Sequence, residues 1–196
     1  MIGPAARQRA HDRESVLIAA VQVFNRRGYD GTRMEDLAAA LGLHKSSIYH
    51  HVRSKEELLR RSLERAVAAL DSTLSASCEE HGPLHRLEGL TRDVVVTMLR
   101  PDILPHVRLL LQVRGNTDVE RWAIKQRRHF DSQLADMFRQ AVAAGEVRDG
   151  KEPLVRARLL FGTVNSLIEW YRPGHMLPSE LAEAVVDMTF DGLRSS

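Results

Sequence analysis

The stretch from Thr32 to Glu57, TRMEDLAAALGLHKSSIYHHVRSKEE, decides the fold. Two hydroxyl residues are each followed three positions later by Glu, at Thr32/Glu35 and Ser54/Glu57. Each pair is the sequence form of a capping box and opens a helix. Between them Met34, Leu37, Ala38 and Leu41 recur on one helical face, and Gly42 supplies a turn. A second short run then carries His44, Lys45, Ser46, Ser47, Tyr49 and His50. Two short helices joined by a tight turn, the second rich in hydrogen-bonding side chains, are the plan of a helix-turn-helix. Its second helix enters the major groove of DNA.

Outward from this stretch the pattern stays helical. Val16, Ala19, Ala20, Val23 and Phe24 form one apolar stripe, which predicts a first helix from about Asp12 to Arg27, ended by Gly28 in the left-handed conformation. The recognition helix is expected over about His44 to His51. The helix opened by Ser54 carries Leu58, Leu59, Leu63, Ala66, Val67 and Leu70 toward Cys78, long enough to leave the head and link it mechanically to the rest.

Beyond an interruption at His81–Pro83, helical patterning resumes and breaks near Pro101, Pro105 and Gly115. A third capping box, Thr117/Glu120, opens a helix expected to reach Ala144 and stop at Gly145. Its apolar set includes Trp122, Ile124, Phe130, Leu134, Met137, Phe138 and Val142. After a loop at Arg148–Pro153, two terminal helices are expected at about Leu154–Tyr171 and Ser179–Arg194, separated by Arg172-Pro173-Gly174. The expected fold is all-α, about nine helices without strands. Residues 1–53 would form a three-helix DNA-binding head and residues 54–196 a larger ligand-binding and dimerisation body.

Composition is consistent with this plan. A chain of 196 residues can bury a substantial core. No run approaches the roughly 18 apolar residues of a membrane-spanning helix, and no apolar signal segment opens the chain, so no membrane partner and a cytoplasmic location are expected. The lone cysteine, Cys78, allows no internal disulfide. Net charge is +2, unevenly divided: residues 1–65 hold 12 Lys/Arg against 8 Asp/Glu, residues 66–196 hold 16 against 18. A basic head on a slightly acidic body suits phosphate contact, since phosphate neutralisation supplies most sequence-independent affinity for DNA.

Within the head, side chains at the start of the recognition helix face base edges, and their neighbours hold phosphates. Lys45 can donate to guanine O6 and N7, and the small Ser46 and Ser47 allow close approach. Tyr49 and His50 lie one turn later, suited to phosphate, while Ile48 and Val52 face the core. Lys55 adds a cation beside the free N–H groups of the next helix. Arg7 and Arg9 read equally as a minor-groove arm or a solvated tail.

At this point a resemblance becomes specific. Gly-Tyr-Asp-Gly-Thr-Arg, then Glu-Asp-Leu-Ala, then Gly-Leu-His-Lys-Ser-Ser-Ile-Tyr-His-His-Val, then Ser-Lys-Glu-Glu-Leu resembles the signature of the TetR family, over about residues 12–65 with motif order and spacing kept. The resemblance implies a homodimeric, all-helical transcriptional regulator, most often a repressor, that binds an inverted-repeat operator and takes a small molecule in its body. Thr32, Tyr49, His50 and Lys55 then stand at phosphate-contacting places. Leu43, His44, Lys45, Ser46 and Ser47 form the base-reading segment, with Arg33 beside them. His44 departs from the family's usual Ser or Thr at the helix start, which puts in doubt the N-cap and the bases read.

In the body, the two terminal helices carry Leu160, Phe161, Val164, Leu167, Ile168, Leu181, Val185, Met188 and Leu193, a stripe that would form a four-helix seam between two subunits. The Trp-Tyr-Arg-Pro-Gly ending at 170–174 is similar to that of TetR-type regulators of lipid, sterol or aromatic-acid catabolism, which often sense acyl-CoA thioesters. Such an effector needs an apolar slot and cations for its phosphates. Met98, Leu111, Trp122, Phe130, Phe161, Asn165 and Trp170 are the expected lining, with Arg114 as a cation and Arg108, Arg121, Arg127 and Arg128 near it in sequence. A hydrophobic drug-like effector, or none, are the alternatives.

Other classes find little support. Nine histidines invite a metal, but His50 and His51 point about 100° apart on a helix, and no Cys or carboxylate completes a set with His44. No phosphate-cradling Gly loop, HExxH or G-x-S-x-G is present, so neither an enzyme nor a resident cofactor is expected.

Overall fold

The computed structural model describes residues 12–76 and 82–191. Arg7, Arg9, Cys78 and Leu193, to which the sequence assigned roles, lie outside them. Among the described residues there are nine helices and no strand. They are α1 (Arg13–Arg27), α2 (Met34–Ala40), α3 (Lys45–Ile48), α4 (Lys55–Ala76), α5 (Pro83–Leu99), α6 (Leu104–Gln112), α7 (Asp118–Ala143), α8 (Pro153–Trp170) and α9 (Pro178–Phe190). The all-α expectation is met. None of these helices is long and apolar enough to cross a membrane.

The chain divides into two compact units between Ser62 and Leu63, inside α4. In the first, α1 packs on α2 and α2 on α3. Asp12 caps α1 by accepting the Ser15 N–H at 2.7 Å, and Gly28 closes it at φ +79° while donating to the Phe24 carbonyl at 2.8 Å. Val16, Leu17, Ala20, Val21, Val23 and Phe24 bury the inner face of α1, joined by Leu37, Ala38, Ile48 and Val52. Each fully buried Val, Leu, Ile or Phe contributes about 1.5–3 kcal/mol, ample to order a unit whose helices are individually too short to persist alone.

Three details differ from the sequence expectation. Helix α2 starts at Met34, one residue later than a Thr32 cap requires. Thr32 is 1% exposed, and its hydroxyl donates back to the Gly28 carbonyl at 2.7 Å, so it closes the preceding turn. Asp36 does the capping, accepting the Arg33 N–H at 2.8 Å. Helix α3 is only four residues, with turns continuing to His51. Its N-cap residue His44 makes no side-chain cap bond, as an imidazole in place of a hydroxyl implies. At Ser54, the hydroxyl accepts the Glu57 N–H at 3.1 Å, but Glu57 reaches past it to the Arg53 N–H at 2.8 Å.

In the second unit, α5 packs chiefly on α9 and α7, and α7 on α8. Thr117 caps α7 by accepting the Glu120 N–H at 3.2 Å. Buried Glu120 ties down the entering loop through the Gly115 and Asn116 N–H groups at 2.8 and 2.6 Å. Leu87, Leu90, Val95, Met98, Val119, Phe138, Ala157 and Phe190 lie in the core.

Candidate functional site

The outer surface of the head carries most of the residues the sequence selected, but not Thr32, which is buried. Buried Ile48 and Val52 hold α3 and its following turn to the core. With that face anchored, His44, Lys45, Ser46, Tyr49 and His50 are exposed, and Leu43 and Ser47 are half-buried. Arg33 is exposed at the start of α2. The segment expected to read bases is therefore presented together, on a helix of only four residues.

Lys45 has a partner. Its ammonium lies 2.5 Å from Glu35 Oε1 of α2, with both side chains over half exposed. The hydrogen bond holds the Glu35 carboxyl below, and the Lys45 ammonium above, their ordinary values. Lys55 has a different environment. Its ammonium donates to the carbonyls of Tyr29 and Thr32 at 2.9 and 3.0 Å and sits 4.2 Å from the centre of the Tyr29 ring. Tyr29 in turn meets Phe24 edge to face at 5.3 Å. Lys55 therefore fastens the start of α4 to the α1–α2 turn, with the third of its three N–H groups left for another acceptor. Nothing in the sequence around Lys55 marks this role, because its acceptors lie more than 20 residues away.

The structure also assembles residues that sequence reasoning missed. Tyr49, His50, His51, Arg53 and Arg60 line a groove of about 570 Å³ with Arg13 of α1 and the carboxylates Glu56 and Glu57. Three arginines and His51 thus join Tyr49 and His50 in this groove, with two carboxylates among them. Nothing in the spacing of Arg13, Arg53 and Arg60 along the chain marks them as neighbours. Among the described residues no group of three His, Cys, Asp or Glu side chains could hold a metal ion.

The expected effector residues are dispersed. Phe130 and Phe161 meet with ring centres 4.8 Å apart. Both rings line a cavity of about 10 Å³ with Leu90, Thr91, Val94, Leu134, Leu160 and Val164. Both also line a second of about 10 Å³ with Val67, Leu70, Asp71, Leu110, Gln126 and Arg127. Each has room for about one water. Met98 is buried core, Leu111 and Trp122 are half-buried, Arg114 is exposed and Trp170 is 55% exposed; none of these lines either cavity. Asn165, one turn after Phe161, has a buried amide oxygen without a partner. Of the arginines, Arg108 donates to the Ile168 carbonyl at 3.0 Å and Arg121 braces Asp118 and the Gly115 carbonyl. Arg127 is half-buried, and desolvation holds its guanidinium below the usual value.

The terminal-helix stripe is also redistributed. Leu160, Val164, Leu167, Ile168, Leu181 and Val185 are buried within the single chain. The exposed apolar side chains of the same helices are Val155, Leu159 (68%), Trp170 and Met188 (67%), of which only Met188 belonged to the expected seam. The periodicity was correct, but the innermost stripe serves the chain's own core.

A buried apolar face beneath a short polar helix, preceded by a tight turn, defines a helix-turn-helix DNA-binding regulator. Similarity to known proteins names the kind. Residues 16–61 match the description "Bacterial regulatory proteins, tetR family" and residues 80–193 match "Tetracyclin repressor-like, C-terminal domain". The chain belongs to the TetR family. It is 44% identical to the TetR regulator SCO3833 from Streptomyces coelicolor A3, covering 97% of this chain and 94% of that one, with a TM-score of 0.86. It is 35% identical over 160 residues to IcaR of Staphylococcus epidermidis, a negative regulator of the biofilm operon icaADBC, covering 81% of this chain and 82% of that one. It is 25% identical to AibR in a complex with isovaleryl coenzyme A and operator DNA, covering 91% and 97% of the two chains, with a TM-score of 0.78.

Proposed function

We propose that this protein is a homodimeric repressor that holds an inverted-repeat operator through two heads and is released by a small molecule. The observation that carries the reading is the presentation of His44, Lys45, Ser46, Tyr49 and His50 over buried Ile48 and Val52. Residues 1–53 serve as the DNA-binding part and residues 54–196 as the effector and dimer part. Lys45, Ser46 and Ser47 read bases, with Leu43 and His44 beside them. Arg33, Tyr49, His50 and the third N–H of Lys55 contact phosphate. Thr32 acts through the turn it closes, its hydroxyl being already bonded. The groove cations Arg13, Arg53 and Arg60 extend the phosphate track. Two recognition helices must stand about 34–36 Å apart to reach successive major grooves. The exposed Val155, Leu159 and Met188 supply an apolar face for the partner copy.

For the effector we favour an acyl-CoA thioester. Support comes from the AibR complex with isovaleryl coenzyme A and operator DNA, and from the Trp170–Gly174 segment. Phe130, Phe161, Asn165 and Arg127 are the nearest set for it: two rings, an amide oxygen without a partner and a cation. Cavities of about 10 Å³ admit no acyl chain, so binding requires Phe161, the half-buried ring, to swing out. The small size of these two cavities favours a second reading, a DNA-binding regulator indifferent to metabolites.

One titration separates them. Binding to the DNA upstream of the protein's own gene is followed by fluorescence anisotropy, with and without a panel of acyl-CoA thioesters and free CoA. Release by one thioester with free CoA inert supports the favoured reading. Tight binding unmoved by the whole panel leaves the regulator and removes the acyl-CoA effector.

A further inference from the structure

The exposed ion pair between α2 and α3 has a chemistry of its own, whose meaning for DNA rests on the reading of Lys45 as a base-contacting residue. Asp36, the neighbouring acid in the first turn of α2, is engaged within the head: one oxygen accepts the Arg33 N–H, the other the Arg27 guanidinium at 2.8 Å. Glu35 instead points to the recognition helix and bonds the Lys45 ammonium at 2.5 Å. Both groups stay charged at neutral pH, and their side chains are 54% and 58% exposed. Exposed pairs contribute little to stability, so this one does not hold the head together.

An ammonium carries three N–H donors. One spent on Glu35 leaves two, the number that guanine O6 and N7 accept in the major groove. A carboxylate has about four acceptor sites. One taken by Lys45 leaves others for the cytosine N4–H, which lies next to O6 across the same base pair. Two donors beside one acceptor match the order acceptor, acceptor, donor, which only a G·C pair presents in that direction. T·A keeps one acceptor and one donor but places the thymine methyl against the ammonium. A·T puts the adenine amino group there and turns the thymine O4 toward the carboxylate.

We infer that Glu35 and Lys45 act as one unit that reads a G·C base pair in each half-site, with Glu35 the specificity-determining partner of the recognition helix. The pairing has a second effect. A lone lysine is drawn to any phosphate, whereas a neutral pair adds almost nothing to sequence-independent attraction. Glu35 thus raises discrimination from both sides.

The test selects duplexes from a randomised pool with the full-length protein, then titrates the best duplex and its single-position variants at fixed salt. Wild type should select G·C at one position per half-site and lose about 5- to 150-fold when A·T replaces it. Glu35→Ala and Lys45→Ala should each relax that position and no other. Glu35→Gln keeps an acceptor but no charge, and should retain part of the preference while binding non-specific DNA more tightly. If Lys45→Ala relaxes a position that Glu35→Ala leaves intact, or the two relax different positions, the unit does not exist and Lys45 reads alone. If Lys45→Ala relaxes no position, its base-reading role fails and the inference with it. Both side chains are exposed, so all variants should fold, and helical circular dichroism verifies this for each.

Discussion

Replacing Lys55 with Met removes an ammonium while keeping most of its aliphatic stem. In the structure that ammonium has two carbonyl acceptors, at 2.9 and 3.0 Å, and a tyrosine ring at 4.2 Å. Hydrogen bonds from a charged donor contribute about 1.5–3 kcal/mol each, and a cation over a ring about 0.5–1 kcal/mol when accessible. Lys55 is half-buried and water can reach its acceptors once it is gone, so the sum must be discounted. We expect a loss of about 1.5 kcal/mol, confined to the head. The chain has two compact units, so a single melting temperature would blur the effect. Hydrogen exchange of amides between Tyr29 and Leu37, followed by mass spectrometry, isolates it. About 1.4 kcal/mol is a tenfold change, and the Lys55→Met head should exchange about tenfold faster there while α7 and α9 remain unchanged. Operator affinity should fall with it. A lost phosphate contact has a different signature: the slope of log affinity against log salt would shrink by about 0.9 with exchange unaltered. Unchanged exchange together with a reduced slope would refute the fastening role and leave Lys55 as a phosphate ligand only.

Three further outcomes concern the body. Leu159→Lys with Met188→Glu should convert a dimer to a monomer in analytical ultracentrifugation with helicity intact; a persistent dimer would place the interface elsewhere. Buried Arg156 donates to the Arg148 carbonyl but leaves Nε and Nη1 without partners. Arg156→Met should therefore leave stability unchanged or raise it by about 1–2 kcal/mol, read from urea unfolding, and a clear loss would reveal an ion pair or bound anion there. Desolvation, opposed by the charges of Arg127 and Arg158, lifts the Asp131 carboxyl above its ordinary value. A raised acid binds more protons folded than unfolded, so its contribution to stability falls as pH rises from 3.8 through the raised folded value. Asp131→Asn should remove that downward slope, and an identical pH dependence in both proteins would show the carboxyl to be unperturbed.

The head was legible in the sequence because its determinants are local. An apolar stripe and a left-handed glycine act within one or two turns, so Gly28, Ile48 and Val52 could be assigned from spacing alone, and the start of α1 placed near Asp12. The same locality explains the near misses. Thr32 and Asp36 are both competent to bond nearby backbone, and only the closed turn at Gly28 selects which one caps α2. The partners of Lys45 and Lys55 were invisible for a different reason: they sit 10 and more than 20 residues away, and a lysine's sequence neighbours do not say which distant oxygen its long stem will reach. In the body, periodicity established that α8 and α9 are amphipathic. Packing within the chain decided that Leu160, Val164 and Leu181 face inward and that Leu159 and Met188 are left over. Sequence alone thus determined the helices and their order, since backbone propensity and capping are short-range. Tertiary structure alone decided which charges pair and which apolar faces stay exposed, since those depend on elements brought together only by folding.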